Sequence, residues 1–336
     1  MPESQIFLWV VVVVALAFDF TNGAHDSANA IATVVSTKVL SPKTAVLMAA
    51  VLNLVGAFIG IKVAHTIGSG IVNTDIVKGC QALTMAALLG AILWNLLTWY
   101  LGLPSSSSHA LIGGLMGSAL AYRGFSALNY ISITEKILIP LVVSPLAGFL
   151  AGYLLMLALS WIFVKAHPKR VNTAFRRMQI VSSAFMATSH GTNDAQKTMG
   201  IITLALFVGH HIPDMTVPIW VKISCALAMA LGTAMGGWNI VKTMGHKIFK
   251  LEAVHGFAAE TAAATVIMGA SFVGAPISTT HTISTSVLGV GSSKRLSAVR
   301  WGIAGNMIIA WVLTIPAAAI VAAICFELMK ACGLVR

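Results

Sequence analysis

Charge is what this chain has least of. Only 9% of its 336 residues are Asp, Glu, Lys or Arg, and only ten are acidic. A water-facing globular surface carries about 25% charged residues, so a soluble protein is excluded. With 57% hydrophobic residues and a mean hydropathy of +0.89, the chain needs a bilayer as solvent. Cysteine is scarce too: Cys80, Cys225, Cys325 and Cys332 stand far apart, which excludes a disulfide framework and a thiolate metal site. There is no Gly-x₄-Gly-Lys-Ser/Thr loop to cradle a nucleotide and no Gly-x-Ser-x-Gly elbow to hold a nucleophile. The formal charge is +11, but the basic residues lie in short loops with no aromatic-interleaved patch. That excludes nucleic acid as a partner.

Long apolar runs are plentiful. Residues 45–63, 83–101, 137–164 and 301–326 are each long enough to cross a bilayer. Residues 6–17 have the length of a signal-peptide core. The only charge before them is Glu3, so the basic leading region is missing and the span is read as retained.

The polar breaks come in pairs. Asn22-Gly-Ala-His-Asp26-Ser-Ala-Asn29 returns as His190-Gly-Thr-Asn-Asp194-Ala-Gln-Lys197, at an offset of 168. Pro104-Ser-Ser-Ser-Ser-His109 returns as Pro276-Ile-Ser-Thr-Thr-His281, at 172, and Pro145 returns as Pro316, at 171. Three landmarks in one order imply two copies of one unit: a first repeat at residues 1–164, a short basic linker at 165–176, and a second repeat at 177–336. Each repeat reads as a long span broken at its Asp motif, a second span, a hairpin pair meeting at a Pro-Ser/Thr-His tip, and a closing span. The hairpin returns to its own side, so the crossings are odd in number and the second copy is upside down. The expected fold is an all-α polytopic membrane protein with two inverted-topology repeats, broken helices and two opposed helical hairpins meeting at the midplane. Placing both termini outside and the linker in the cytoplasm puts thirteen of the 21 Lys and Arg on the cytoplasmic side and seven outside.

Four acids fall at membrane depth: Asp19, Asp26, Asp194 and Glu260. A carboxylate there must face a cavity and find a cation, a proton or a donor. Asp26 and Asp194 are equivalent by the repeat. Asn22 and Asn29 flank the first, within about one helical turn, and Asn193 flanks the second. Carboxylate and amide oxygens form a hard-cation set, suited to Na⁺ at Asp26 and Asp194 or to a proton relay, with Glu260 a further candidate for coupling. Capping by Asn and Asp at a helix break is the purely structural reading of the same residues. At the tips, Ser106, Ser107, Ser108, Ser278, Thr279 and Thr280 each precede an apolar helix, whose first turn leaves N–H groups free. Two such N-termini edged with hydroxyls make a site for a tetrahedral oxyanion. His109 and His281 brace the tips or carry a proton. Lys197 pairs with Asp194 or lies near the anion.

Over almost its whole length the chain resembles the PiT inorganic phosphate transporter family. The first copy of that signature is Gly23-Ala24-His25-Asp26-Ser27-Ala28-Asn29-Ala30, the second Gly191-Thr192-Asn193-Asp194, and the paired tips match as well. The resemblance implies ion-coupled uptake of inorganic phosphate across the plasma (inner) membrane, no enzymatic activity, a homodimer and an elevator-like motion. The implied partners are phosphate, the lipid bilayer and Na⁺ or H⁺ as coupling ion, with a soluble accessory protein allowed for; no further cofactor is expected. His25 stands where the signature has Asn, which removes an amide oxygen and favours proton coupling or a metal–phosphate complex as substrate. A sulfate permease of the same fold is the runner-up and an anion channel the third reading. Phosphate keeps a proton to donate to an acid near neutral pH, whereas sulfate wants donors only.

Overall fold

The structure is a computed structural model describing residues 5–73, 76 and 80–335. Lys78 and Arg336, two of the seven basic residues counted outside, and residues 1–4, 74, 75, 77 and 79 of the first repeat lie outside the described residues. Among the described residues there is no strand, only an isolated bridge between Val72 and Leu128.

In the first half the elements are α1 (Gln5–Ser36), α2 (Pro42–Gly56), α3 (Lys62–Gly70), α4 (Gln81–Leu101), α5 (Ser107–Arg123) and α6 (Tyr130–Ile162). In the second they are α7 (Pro168–Val208), α8 (Ile219–Met235), α9 (Trp238–Gly245), α10 (Ala253–Val273), α11 (Thr279–Lys294) and α12 (Trp301–Ala331). Among the described residues, five helices are long and apolar enough to cross a membrane, and α8 with α9 make a sixth as a pair bent by 60°. The two lists match element for element. The hairpin arms α4 and α10 are both 21 residues and both stop at a left-handed glycine, Gly102 and Gly274. Their partners α5 and α11 are capped alike, with Ser106 Oγ and Ser278 Oγ each accepting from the backbone N–H of the histidine three residues on, both at 3.2 Å.

One expectation is corrected here. The spans carrying Asp26 and Asp194 were expected to break at those motifs, yet α1 and α7 run through them as unbroken helices of 32 and 41 residues. Glycine in the motif serves close packing instead. A Cβ on Gly23 would sit 2.3 Å from the carbonyl oxygen of Met229 on α8, and one on its repeat equivalent Gly191 would sit 2.3 Å from that of Asn53 on α2. The breaks fall elsewhere, between α2 and α3, between α8 and α9, and at the hairpin tips. The segment read as a linker is helical from Pro168 onward, because His167 caps α7 with proline at its first turn, where its missing N–H costs nothing.

The interior forms two apolar clusters. One gathers the N-terminal part of α1, α3, α4, α5 and the C-terminal part of α7, around Leu83, Leu111 and Ile202. The other gathers the C-terminal part of α1, the middle of α7, α10 and α11, around Ile31, Ile267 and Ile283. Helix α1 thus passes from the first cluster into the second, and α7 passes the other way. Their polar motifs occupy the crossing point. Around this centre the outer faces stay apolar: Leu146, Leu150 and Leu154 on α6, and Val312 and Ile320 on α12, are all more than half exposed. Such a surface is stable only against lipid tails.

Candidate functional site

Both hairpin tips arrive at the crossing of α1 and α7. The imidazoles of His109 and His281 meet edge to face with centroids 4.6 Å apart, and His281 stacks on Trp311 at 4.0 Å. Trp311 Nε1 donates to the carbonyl of Pro104 at 2.9 Å, so the closing helix α12 of the second half holds the tip of the first. The two histidines therefore sit in an aromatic stack between the tips.

The repeat-related acids are both buried and both meet the second tip. Thr279 Oγ1 donates to Asp194 Oδ2 at 2.9 Å and Thr280 Oγ1 to Asp26 Oδ1 at 3.1 Å. Asn29 Nδ2 bridges the two hydroxyls, at 3.2 and 3.0 Å. Lys197, only 1% exposed, pairs with Asp194 Oδ1 and donates to Ser108 Oγ on the first tip and to the Ile277 carbonyl on the second, the latter at 3.0 Å. One ammonium therefore ties α7 to both hairpins. His25 Nδ1 lies 2.8 Å from Asp26 Oδ1, with Nε2 3.2 Å from Thr98 Oγ1 and 3.3 Å from Ser105 Oγ.

Not every residue singled out above joins this cluster. Ser106 and Ser278 have their oxygens engaged as helix caps. Ser107 is buried at the same tip with its hydroxyl unpartnered. Asn193 donates to Ser271 Oγ at 2.9 Å and to the Ala275 carbonyl at 3.3 Å, bracing the second hairpin. Asn22 is buried with its amide oxygen unpartnered. Glu260 has a separate pocket, where Thr33, Ser182 and Gln179 all donate to it.

Sequence reasoning gave no role to His190, which the structure puts against Asp194, with Nε2 2.9 Å from Oδ2. Its Nδ1 lies 3.1 Å from Asn53 Oδ1. The repeat contained the signal, since His190 is the counterpart of Asn22. Asp26, His190 and Asp194 each offer a ligand atom within 4.8 Å of the others. Two carboxylates and an imidazole suit a divalent cation better than Na⁺, which takes oxygen alone.

The arrangement can surround a tetrahedral oxyanion with Ser107, Ser108, Thr279 and Thr280 hydroxyls, set an ammonium beside it, and face it with two acids. A buried polar cluster between two crossing helices and two hairpin tips, inside an apolar outer surface, defines a polytopic membrane transport protein. The chain belongs to the phosphate transporter family, whose family model matches residues 22–322. It is 51% identical over 318 residues to a probable low-affinity inorganic phosphate transporter of Rhizobium meliloti (strain 1021), covering 94% of each chain. A protein of the same description from Bacillus subtilis (strain 168) is 49% identical over 322 residues, covering 96% of each. Among solved structures, the sodium-dependent phosphate transporter superposes with a TM-score of 0.87 at 25% identity, over 97% of this chain and 100% of that one. The protein is a membrane transporter of inorganic phosphate and not an enzyme.

Proposed function

We propose that the chain is a secondary active transporter that symports inorganic phosphate with Na⁺ or H⁺ across the plasma membrane. Charge balance at the crossing carries this reading. Asp26 and Asp194 bring two negative charges into a buried site, and Lys197 supplies one positive charge. Phosphate adds one or two more negative charges. Burying that excess is prohibitive without accompanying cations, so anion and cation must enter together. The sodium dependence of the solved relative supports the coupling. A channel, which passes the anion alone, has no use for two acids beside the hydroxyl tips.

The anion fits between the tips, and Asp26 or Asp194 accepts its remaining proton. That contact discriminates against sulfate, which has no proton to give. Ser107→Ala and Thr279→Ala are each expected to raise the apparent Km for phosphate about tenfold, the worth of one good hydrogen bond to an anion. An unchanged Km in both would remove the tips from the binding site.

The opposed passage of α1 and α7 between the two apolar clusters supports inverted repeats at residues 1–164 and 177–336, joined by the cytoplasmic linker at 165–176. Both termini then lie outside. Ser69 and Asn172 are both exposed. Cysteines placed there are expected to react with an impermeant maleimide from the outside and the inside respectively; the reverse pattern overturns the orientation. A homodimer supplies the static frame past which the site moves.

The cluster of Asp26, His190 and Asp194 favours a second form of the substrate, phosphate carried as a neutral complex with a divalent metal ion. Uptake of the metal and of phosphate in a fixed ratio distinguishes this cargo from the free anion.

A further inference from the structure

No acid stands between Glu135 and Asp194, yet that stretch holds Lys136, Lys165, Lys169, Arg170, Arg176 and Arg177. All but the first fall within residues 165–177, directly after the spanning helix α6 ends at Ile162. The end of that helix is apolar, with Trp161, Ile162 and Val164 all more than two thirds exposed. A tryptophan in such a place marks the level of the lipid headgroups. Beside it Phe163 packs edge-on against the buried Phe175, which also meets Phe257, both at 5.3 Å. Burying Phe175 sets the rotation of α7, so that Lys169, Thr173 and Arg177, four residues apart, face outward together with Arg170. With Ala174 they line a shallow groove of about 400 Å³. Among the described residues no acid pairs with Lys169, Arg170 or Arg177. The Thr173 hydroxyl donates to the Lys169 carbonyl at 2.9 Å, which leaves the groove with cationic donors alone.

We propose that this groove binds the phosphate group of an anionic phospholipid of the phosphatidylglycerol class. Two guanidinium groups and an ammonium form the donor set, and guanidinium matches a phosphate with paired hydrogen bonds. Position selects a lipid over a free anion. The groove lies just past the end of a spanning helix, so a phospholipid presents its phosphate there while its chains run along the exposed Leu154, Leu150 and Leu146 of α6. Charge selects the lipid class, because three unpaired cations attract a net negative headgroup and repel the ammonium of a zwitterionic one. The neighbouring Arg176 ties this end of α7 to the end of α1, donating to the carbonyls of Lys38 at 2.7 Å and Thr37 at 3.5 Å. A lipid held here therefore anchors the junction of the two helices that carry Asp26 and Asp194. Its binding rests neither on the coupling ion nor on which side of the membrane the linker occupies.

The test is native mass spectrometry of the purified full-length protein in detergent, titrated with phosphatidylglycerol or phosphatidylcholine, with inorganic phosphate as competitor. Saturable binding of phosphatidylglycerol is expected, with phosphatidylcholine at least about tenfold weaker. Arg170→Gln and Arg177→Gln should each weaken phosphatidylglycerol about fivefold, the effect of one basic residue at a charged membrane surface, and together about 25-fold. Arg123→Gln, an exposed cation at the end of α5, should leave it unchanged. All the substituted side chains are exposed, and Lys169→Gln keeps the test open if either arginine variant does not fold. Equal binding of the two lipids, or binding that the groove variants leave unchanged, overturns the site. Displacement of phosphatidylglycerol by an equal concentration of inorganic phosphate overturns it as well, and gives the groove to the free anion. Phosphate movement is not read in this assay, so losing the lipid site leaves the transport reading standing, and the converse holds too.

Discussion

Asp194→Asn is expected to abolish phosphate uptake and, in the same protein, to lower thermal stability. Asp194 is the counter-charge of Lys197, whose ammonium is only 1% exposed and whose other partners, Ser108 Oγ and the Ile277 carbonyl, are neutral. Removing one member of a buried pair strands the other charge, at a cost of about 3–5 kcal/mol. Asp26→Asn strands no lysine, because among the described residues the hydrogen-bond partners of Asp26 are the Thr280 hydroxyl and His25. Its amide oxygen can still accept from Thr280, so stability should change little while uptake falls at least about 100-fold, equivalent to about 2.7 kcal/mol. Uptake into proteoliposomes and thermal unfolding followed by size exclusion separate the two effects. Pairing Asp194→Asn with Lys197→Asn should restore the stability and not the uptake. Normal transport by both single variants would remove the two acids from the mechanism.

Lys197→Asn is expected to add a cation to the transport cycle. The repeat offset of 168 sets Lys197 opposite Asn29, and His25 opposite Asn193. At the positions one before and three after the aspartate, each half therefore keeps one amide, Asn29 in the first and Asn193 in the second. In the second half the missing amide is replaced by an ammonium lying against the carboxylate, in the place a bound cation takes. In the proposed symport cycle Lys197 is then a tethered cation, one that is never released. Restoring Asn at this position opens that place to a mobile ion. Phosphate uptake in the variant should drop about tenfold when external Na⁺ is omitted, recover when it is supplied, and show a Hill coefficient for Na⁺ higher by about one. Uptake lost at every Na⁺ concentration would instead make Lys197 a ligand of the anion itself.

The sequence showed the duplication, the tips and the paired acids plainly, because repetition at a constant offset does not depend on packing. It misled about the helices around them. Asn22, Gly23, Asn29, Gly191 and Asn193 are poor helix formers, and their clustering reads as a break. In the folded chain the glycines admit neighbouring backbones, and the asparagines lie buried inside continuous helices. Tertiary approach overrides local propensity there. The partners of each acid were illegible for a different reason. Thr280 reaches Asp26 across 254 positions, and Gln179 reaches Glu260 across 81; no local spacing encodes such pairings. Glu260 looked like a companion of Asp26 and Asp194 because all three are intramembrane acids. Its hydroxyl and amide donors set it in a pocket of its own.

The central claim, that phosphate enters only together with a cation, is tested most directly by phosphate uptake into proteoliposomes under an imposed Na⁺ gradient or an imposed pH gradient, with sulfate run in parallel. The account predicts that phosphate accumulates above its external concentration under one of these gradients and that sulfate does not. Phosphate that merely equilibrates, at a rate indifferent to both gradients, would contradict it.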